Sequence, residues 1–125
     1  MTSIGEIYKC NVCSNIVEVI HAGKGQLVCC GQPMQLLDEK TSGAGEEKHK
    51  PIIEVLNGEV KVKVGSTLHP MEENHYIEWI EVSTENEVHK RYLKPGEAPE
   101  AIFNVKAKKL TAKAFCNIHG LWRNP

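Results

Sequence analysis

Cys29 and Cys30 are adjacent, and with the Cys10-Asn11-Val12-Cys13 pair they place four of the chain's five cysteines in its first thirty residues. A segment that short cannot bury enough apolar surface to hold itself folded, so something else must cross-link it. Four thiolates on one metal ion would do so. In a C-x-x-C loop both sulfurs can face one ion while backbone N–H groups point at them. A second pair about fifteen residues later closes a tetrahedral S4 site. The second pair here is unusual, because adjacent residues cannot form the ordinary two-residue-spaced loop. Cys29 and Cys30 reach one metal only by opening their S–metal–S angle, so the tetrahedron is expected to be distorted. From spacing alone a structural zinc ribbon and an iron site are equally good readings. A Cys29–Cys30 disulfide needs a strained ring and ranks below both.

Short β-like runs surround these cysteines. Ile16–Ile20 and Gln26–Val28 read as strands, with Ala22-Gly23-Lys24-Gly25 as the hairpin turn between them. Residues 1–37 therefore form a small metal-held domain. Residues 38–47 are polar, carry two glycines and show no period, which reads as a linker. Residues 48–125 read as strand after strand. Ile52–Leu56 runs into Asn57-Gly58, a two-residue hairpin signal. Val60-Lys61-Val62-Lys63-Val64 alternates cleanly. Tyr76–Val82, Val88–Leu93, Ala101–Val105 and Leu110–Phe115 follow, with Pro95-Gly96 and Pro99 between. No segment carries a helical period of useful length. The expectation is an all-β chain whose larger part is a sandwich.

Composition narrows the function. Net charge is −1 and no basic run with interleaved aromatics occurs, so no nucleic-acid partner is expected. The N-terminus has neither a basic nor an apolar signal region, and no apolar stretch of about 18 residues exists. The reading is a cytoplasmic protein with no membrane span. In a reducing compartment, five cysteines point to metal binding or catalysis rather than disulfides.

A second constellation lies in the β region. Four of six histidines fall in Glu47-Lys48-His49-Lys50-Pro51, His69-Pro70-Met71-Glu72-Glu73-Asn74-His75 and Cys116-Asn117-Ile118-His119-Gly120. These motifs sit at strand ends and in loops, where a sandwich gathers distant residues. The H-x-x-x-H spacing of a helical zinc protease is absent. Taken singly, each His is most simply a surface residue and Cys116 a small apolar filler. Those readings must hold for His49, His69, His75, Cys116 and His119 together, which makes them weak. They stand for His21, at a turn, and for His89, in a charged strand. Met34 and Met71 read as packing residues, and the lysines and glutamates of the strands as a solvated face. Nitrogen-rich ligation with one thiolate suits redox iron at least as well as zinc. Five protein donors leave one octahedral position for a small molecule.

The strings E-K-H-x-P at Glu47–Pro51, H-P-M-x-x-x-H at His69–His75 and C-N-x-H-G-x-W at Cys116–Trp122 resemble the superoxide reductase signature. Y-K-C-x-x-C at Tyr8–Cys13 with the Cys29-Cys30 pair resembles the desulforedoxin-type domain of the desulfoferrodoxin family, the two-iron superoxide reductases. One-iron relatives lack the cysteine set. The resemblance spans nearly the whole chain. It implies a small desulforedoxin-like domain followed by an immunoglobulin-like β-sandwich, with two mononuclear non-haem irons. Cys10, Cys13, Cys29 and Cys30 would hold an accessory FeCys4 centre. His49, His69, His75 and His119 would be equatorial ligands and Cys116 the axial thiolate of an FeHis4Cys centre. Glu47 would be the carboxylate able to take the sixth position in the ferric form. Lys48 would assist attraction and protonation of the substrate. The implied activity is one-electron reduction of superoxide to hydrogen peroxide, detoxifying superoxide in an anaerobe or microaerophile. The implied partners are a second copy in a homodimer and, as electron donor, rubredoxin or a similar small redox protein. Ser14 departs from the family, which usually has glycine there; a positive φ costs serine more than glycine. An electron carrier using only the cysteine site and a zinc-stabilised binding module are the competing classes. Neither needs a five-donor site with a vacancy.

Overall fold

Short strands supply nearly all the regular structure among the described residues, and most of the cysteines and histidines fall at strand ends or in the turns between them. The computed structural model describes residues 1–106 and 108–125, which form thirteen strands and one helical turn. They divide into the units Met1–Asp38 and Glu39–Pro125.

In the first unit β1 (Ile7–Lys9) is the centre of an antiparallel sheet, flanked by β2 (Ile16–Glu18) and β5 (Gln35–Leu36). Two further strands, β3 (Val28–Cys29) and β4 (Gln32–Pro33), pair with each other. The hairpin expected between Ile16–Ile20 and Gln26–Val28 does not form. Strand pairing follows the cysteine loops instead: the Cys10–Cys13 loop folds β2 back on β1, and Cys30-Gly31 folds β4 back on β3. Ile7, Cys10 and Val19 are buried while Val12, Val17, Ile20, Val28 and Leu36 are exposed. That apolar core is too thin to hold the unit alone, as the sequence implied.

The second unit is a β-sandwich. Its short strand β6 (Glu39–Lys40) and helical turn α1 (Glu46–His49) precede β7 (Pro51–Leu56) and β8 (Glu59–Val64). Then come β9 (Ile77–Ser83), β10 (Val88–Tyr92), β11 (Glu100–Phe103), β12 (Thr111–Cys116) and β13 (Gly120–Asn124). One sheet has the order β10-β9-β12-β13-β6, the other β11-β8-β7. The alternation of β8 works as expected: Val60, Val62 and Val64 are buried and the lysines between them are not. Those valines meet Ile80, Val82, Ala112 and Ala114 of the facing sheet in one core. Asn57-Gly58 closes β7 onto β8 in the register Leu56↔Glu59, with Gly58 at φ 81.

Three features depart from the sequence reading. Residues 38–47, read as a linker, carry β6 and the first half of α1, and β6 pairs in parallel with β13 (Trp122↔Lys40). Strand β13 adds to the strands the sequence predicts. Glu81, placed with the solvated face, is 3% exposed and lies 3.7 Å from Lys90.

Candidate metal centres

The first unit brings Cys10, Cys13, Cys29 and Cys30 together with all four sulfurs within 4.8 Å of one another. Cys10 and Cys13 lie in the turn after β1. Its reversal needs a left-handed residue, supplied by Ser14 at φ 70, whose N–H donates to the Cys10 carbonyl at 3.0 Å. Cys30, at φ 54, turns the second pair inward. The N–H groups of Val12 and Cys13 each donate to Cys10 Sγ at 3.4 Å. These bonds, that from Cys13 first, hold the Cys10 thiol down at about 6. Cys29 and Cys30 feel the crowding of their neighbours. Cys29 is pushed up to about 12, chiefly by its contact with Cys13, and Cys30 is raised by the same neighbour. Thiolates gathered this closely call for a cation, and loading one releases their protons.

The sulfur separations fit a metal. Cys13 Sγ and Cys29 Sγ are 3.6 Å apart, Cys29 Sγ and Cys30 Sγ 3.9 Å. With metal–sulfur bonds of about 2.3 Å these spans correspond to angles of about 103° and about 116°. Both spans lie close to the roughly 3.8 Å that a regular tetrahedron of such bonds would set.

In the second unit His49, His69, His75, Cys116 and His119 also place one donor atom each within 4.8 Å of the others. They come from four places: the end of α1, the loop after β8, the turn before β9, and the β12–β13 hairpin, with Cys116 ending β12 and His119 in the turn. The imidazoles form a closed square. Neighbouring ring centroids are 4.7 Å apart for His49–His69, His49–His119 and His69–His75, and 5.0 Å for His75–His119, each pair edge-on. His49 Nδ1 lies 2.8 Å from the Gly45 carbonyl and His69 Nδ1 2.7 Å from that of Pro70. Each Nδ1–H donates there, which turns the Nε2 lone pair to the centre. The two Nε2 atoms are 3.2 Å apart, and His49 Nε2 is 3.1 Å from His119 Nδ1. Nitrogens at right angles on one metal, each bonded at about 2.1 Å, lie about 3.0 Å apart.

Two further observations fit an ion at the centre. His75 Nε2 is buried with no hydrogen-bond partner among the described residues. Burial also holds His49 below the usual imidazole range and His69 down at about 4, so both rings are neutral donors at neutral pH. Cys116, wholly buried, accepts the His119 N–H at 3.4 Å. The four histidines line a cleft with Gly45, Glu47 and Lys48, and both Glu47 and Lys48 are exposed.

Several supporting residues were not singled out from sequence. Trp122 stacks on His49 at 5.1 Å, and its Nε1–H donates to the His119 carbonyl at 3.3 Å. Lys40 Nζ donates to the same carbonyl at 3.0 Å. A Cβ on Gly45 would lie 3.1 Å from His49 Nδ1. The tryptophan ends the C-N-x-H-G-x-W string; the others leave no local signal. His21 and His89 lie outside both groups, and His89 instead faces Glu87 at 3.1 Å.

The chain matches two family models, one described as desulfoferrodoxin over residues 41–125 and one as the desulfoferrodoxin N-terminal domain over residues 2–37. It is 59% identical over 124 residues, 99% of each chain, to a desulfoferrodoxin homolog of Archaeoglobus fulgidus. It is 57% identical over 118 residues, 94% of each chain, to a desulfoferrodoxin of Nitratidesulfovibrio vulgaris. The crystal structure of the superoxide reductase from Treponema pallidum superposes with a TM-score of 0.78 at 30% identity, covering 96% of both chains.

Proposed function

The chain belongs to the desulfoferrodoxin family, and on that footing we propose that it is a superoxide reductase carrying two iron centres. The reaction takes one superoxide, one electron and two protons to one hydrogen peroxide and releases no oxygen. The observation that carries this reading is the square of four imidazoles with the buried Cys116 sulfur beside it, next to a cleft that reaches Lys48. His49, His69, His75, His119 and Cys116 would hold an iron, which would supply the electron through its ferrous and ferric states.

The protein's own groups do the rest. Lys48 lends the cleft a positive charge that draws in a small anion. Through water, the same ammonium would guide a proton to the reduced substrate. Glu47, on the same cleft, is the carboxylate that closes the site in the oxidised state. Bound to the metal, the Cys116 sulfur would favour the oxidised ion, and the N–H that His119 donates to it would temper that effect. Cys10, Cys13, Cys29 and Cys30 hold the accessory iron, on a domain of residues 1–37 that precedes the catalytic sandwich. Five unpaired cysteines fit a cytoplasmic, reducing setting. The family resemblance supports a homodimer and a rubredoxin-like electron donor.

The test is a pulse of superoxide on the fully reduced protein. One hydrogen peroxide per superoxide, one oxidised histidine-ligated iron and no oxygen are expected. Oxygen released at half the superoxide consumed would make the protein a dismutase, and no reaction would leave it an electron carrier.

A further inference from the structure

We infer that Asn117 is a positioning residue that locks His75 into the histidine square; the inference rests on the iron-binding reading above. His75 sits in a short turn outside the named strands. Glu72, Glu73 and Asn74 before it are exposed, and the turn is closed by the Glu72 N–H to the His75 carbonyl at 2.9 Å and the His75 N–H to the Glu72 carbonyl at 3.2 Å. For His49 and His69 a carbonyl holds the ring's second nitrogen. For His75 the hold comes through the backbone.

Asn117 grips that backbone on both sides of the ligand. Its Nδ2 donates to the Asn74 carbonyl at 3.1 Å, and its Oδ1 accepts the Tyr76 N–H at 3.0 Å. Its own N–H donates to the Tyr76 carbonyl at 3.3 Å. Regular pairing of β12 with β9 ends at Cys116↔Ile77, after a register shift between Phe115 and Cys116. Beyond that point the strands must part to leave room for the square. The Asn117 amide, with a donor and an acceptor like a peptide group, adds one more rung across the gap. Because Asn117 follows Cys116 directly, the rung ties the His75 turn to the thiolate and, through the same hairpin, to His119.

Asparagine is the side chain this rung needs. Aspartate keeps the acceptor for Tyr76 but sets an oxygen against the Asn74 carbonyl, and alanine removes both bonds. Outer partners of metal ligands typically change metal affinity by 10–100-fold. The Asn117→Ala protein should therefore lose iron from the histidine site to a ferrous chelator on the order of 10–100-fold more readily, with Asn117→Asp between it and wild type. The ferric absorption and electron paramagnetic resonance of the iron that remains should also change, because one equatorial nitrogen is no longer held.

The experiment uses the full-length, iron-loaded protein, with the four-cysteine iron read in the same sample. Altered histidine-site spectra in both variants, beside an unchanged four-cysteine spectrum, support the role. A purely structural loss would lower the unfolding temperature and the iron content yet leave the spectrum of the retained iron as in wild type, and that result overturns the inference. Wild-type retention and spectra in both variants overturn it too. A wild-type protein with no iron at the histidine site overturns the family reading first, and the inference with it.

Discussion

Replacing Gly65 with alanine probes how rigidly the segment bearing Glu47, Lys48 and His49 is held. An added Cβ would lie 2.7 Å from the Glu47 carbonyl oxygen, 3.1 Å from the Lys48 carbonyl carbon and 3.1 Å from the Lys50 carbonyl oxygen. All three neighbours are backbone, so no side-chain rotation relieves the clash. Ordinary contact begins at 3.4 Å, which asks the Glu47 carbonyl to retreat by roughly 0.7 Å. That carbonyl is pinned from the same loop by the Thr67 N–H at 2.8 Å and Ser66 Oγ at 3.2 Å. Overpacking of this kind costs about 1–3 kcal/mol. In a domain of this size each kcal/mol lowers Tm by about 4–8 °C. A binding group is useful only within about 0.5 Å of its productive position, so His49 should hold iron less well, by about tenfold for each 1.4 kcal/mol transmitted. Thermal unfolding and iron retention of the Gly65→Ala protein measure both effects. A Tm within one or two degrees of wild type, with an unchanged ferric spectrum, would refute the close-packing argument.

Ser14→Gly should raise the denaturant midpoint of the four-cysteine chromophore, because a left-handed residue other than glycine carries a cost of about 1–2 kcal/mol, of which part is regained; a lower midpoint contradicts this. Cys13→Ser should abolish the accessory iron while the histidine site keeps its spectrum and its reaction with superoxide, since the two donor sets lie in separate units; loss of both irons contradicts it. Lys48→Ala should slow the reaction of the reduced protein with superoxide and flatten its dependence on ionic strength. Unchanged rates across a salt series would remove the steering role. Glu47→Ala should leave that encounter rate similar or slightly higher but shift the spectrum of the oxidised protein, and an unchanged ferric spectrum removes the carboxylate from the site.

Both donor groups were legible because their chemistry is carried by residue type: thiols and imidazoles are few, and their clustering in short strings is visible without a structure. The β7–β8 hairpin was legible for a similar reason, since Asn57-Gly58 and the valine alternation are local signals. What escaped depends on partners distant in sequence. Gly65 looks like any loop glycine until the 47–50 backbone is laid against it. Lys40 belongs to a polar run with no period, and only its parallel pairing with β13 takes it to the His119 carbonyl. The helical turn Glu46–His49 is too short for any period to announce it. In the first unit the Gly-rich stretch is a good turn signal, yet the cysteine loops decide which strands meet.

The central claim is that one chain holds two chemically different irons, one in sulfur alone and one among four imidazoles and a thiolate. Iron analysis combined with Mössbauer spectroscopy of the iron-57-loaded, air-oxidised protein tests it most directly. Two irons per chain, in two equal components of which only one is lost in Cys13→Ser, is the predicted result. A single component, or zinc at both sites in protein grown with ample iron, would contradict the account.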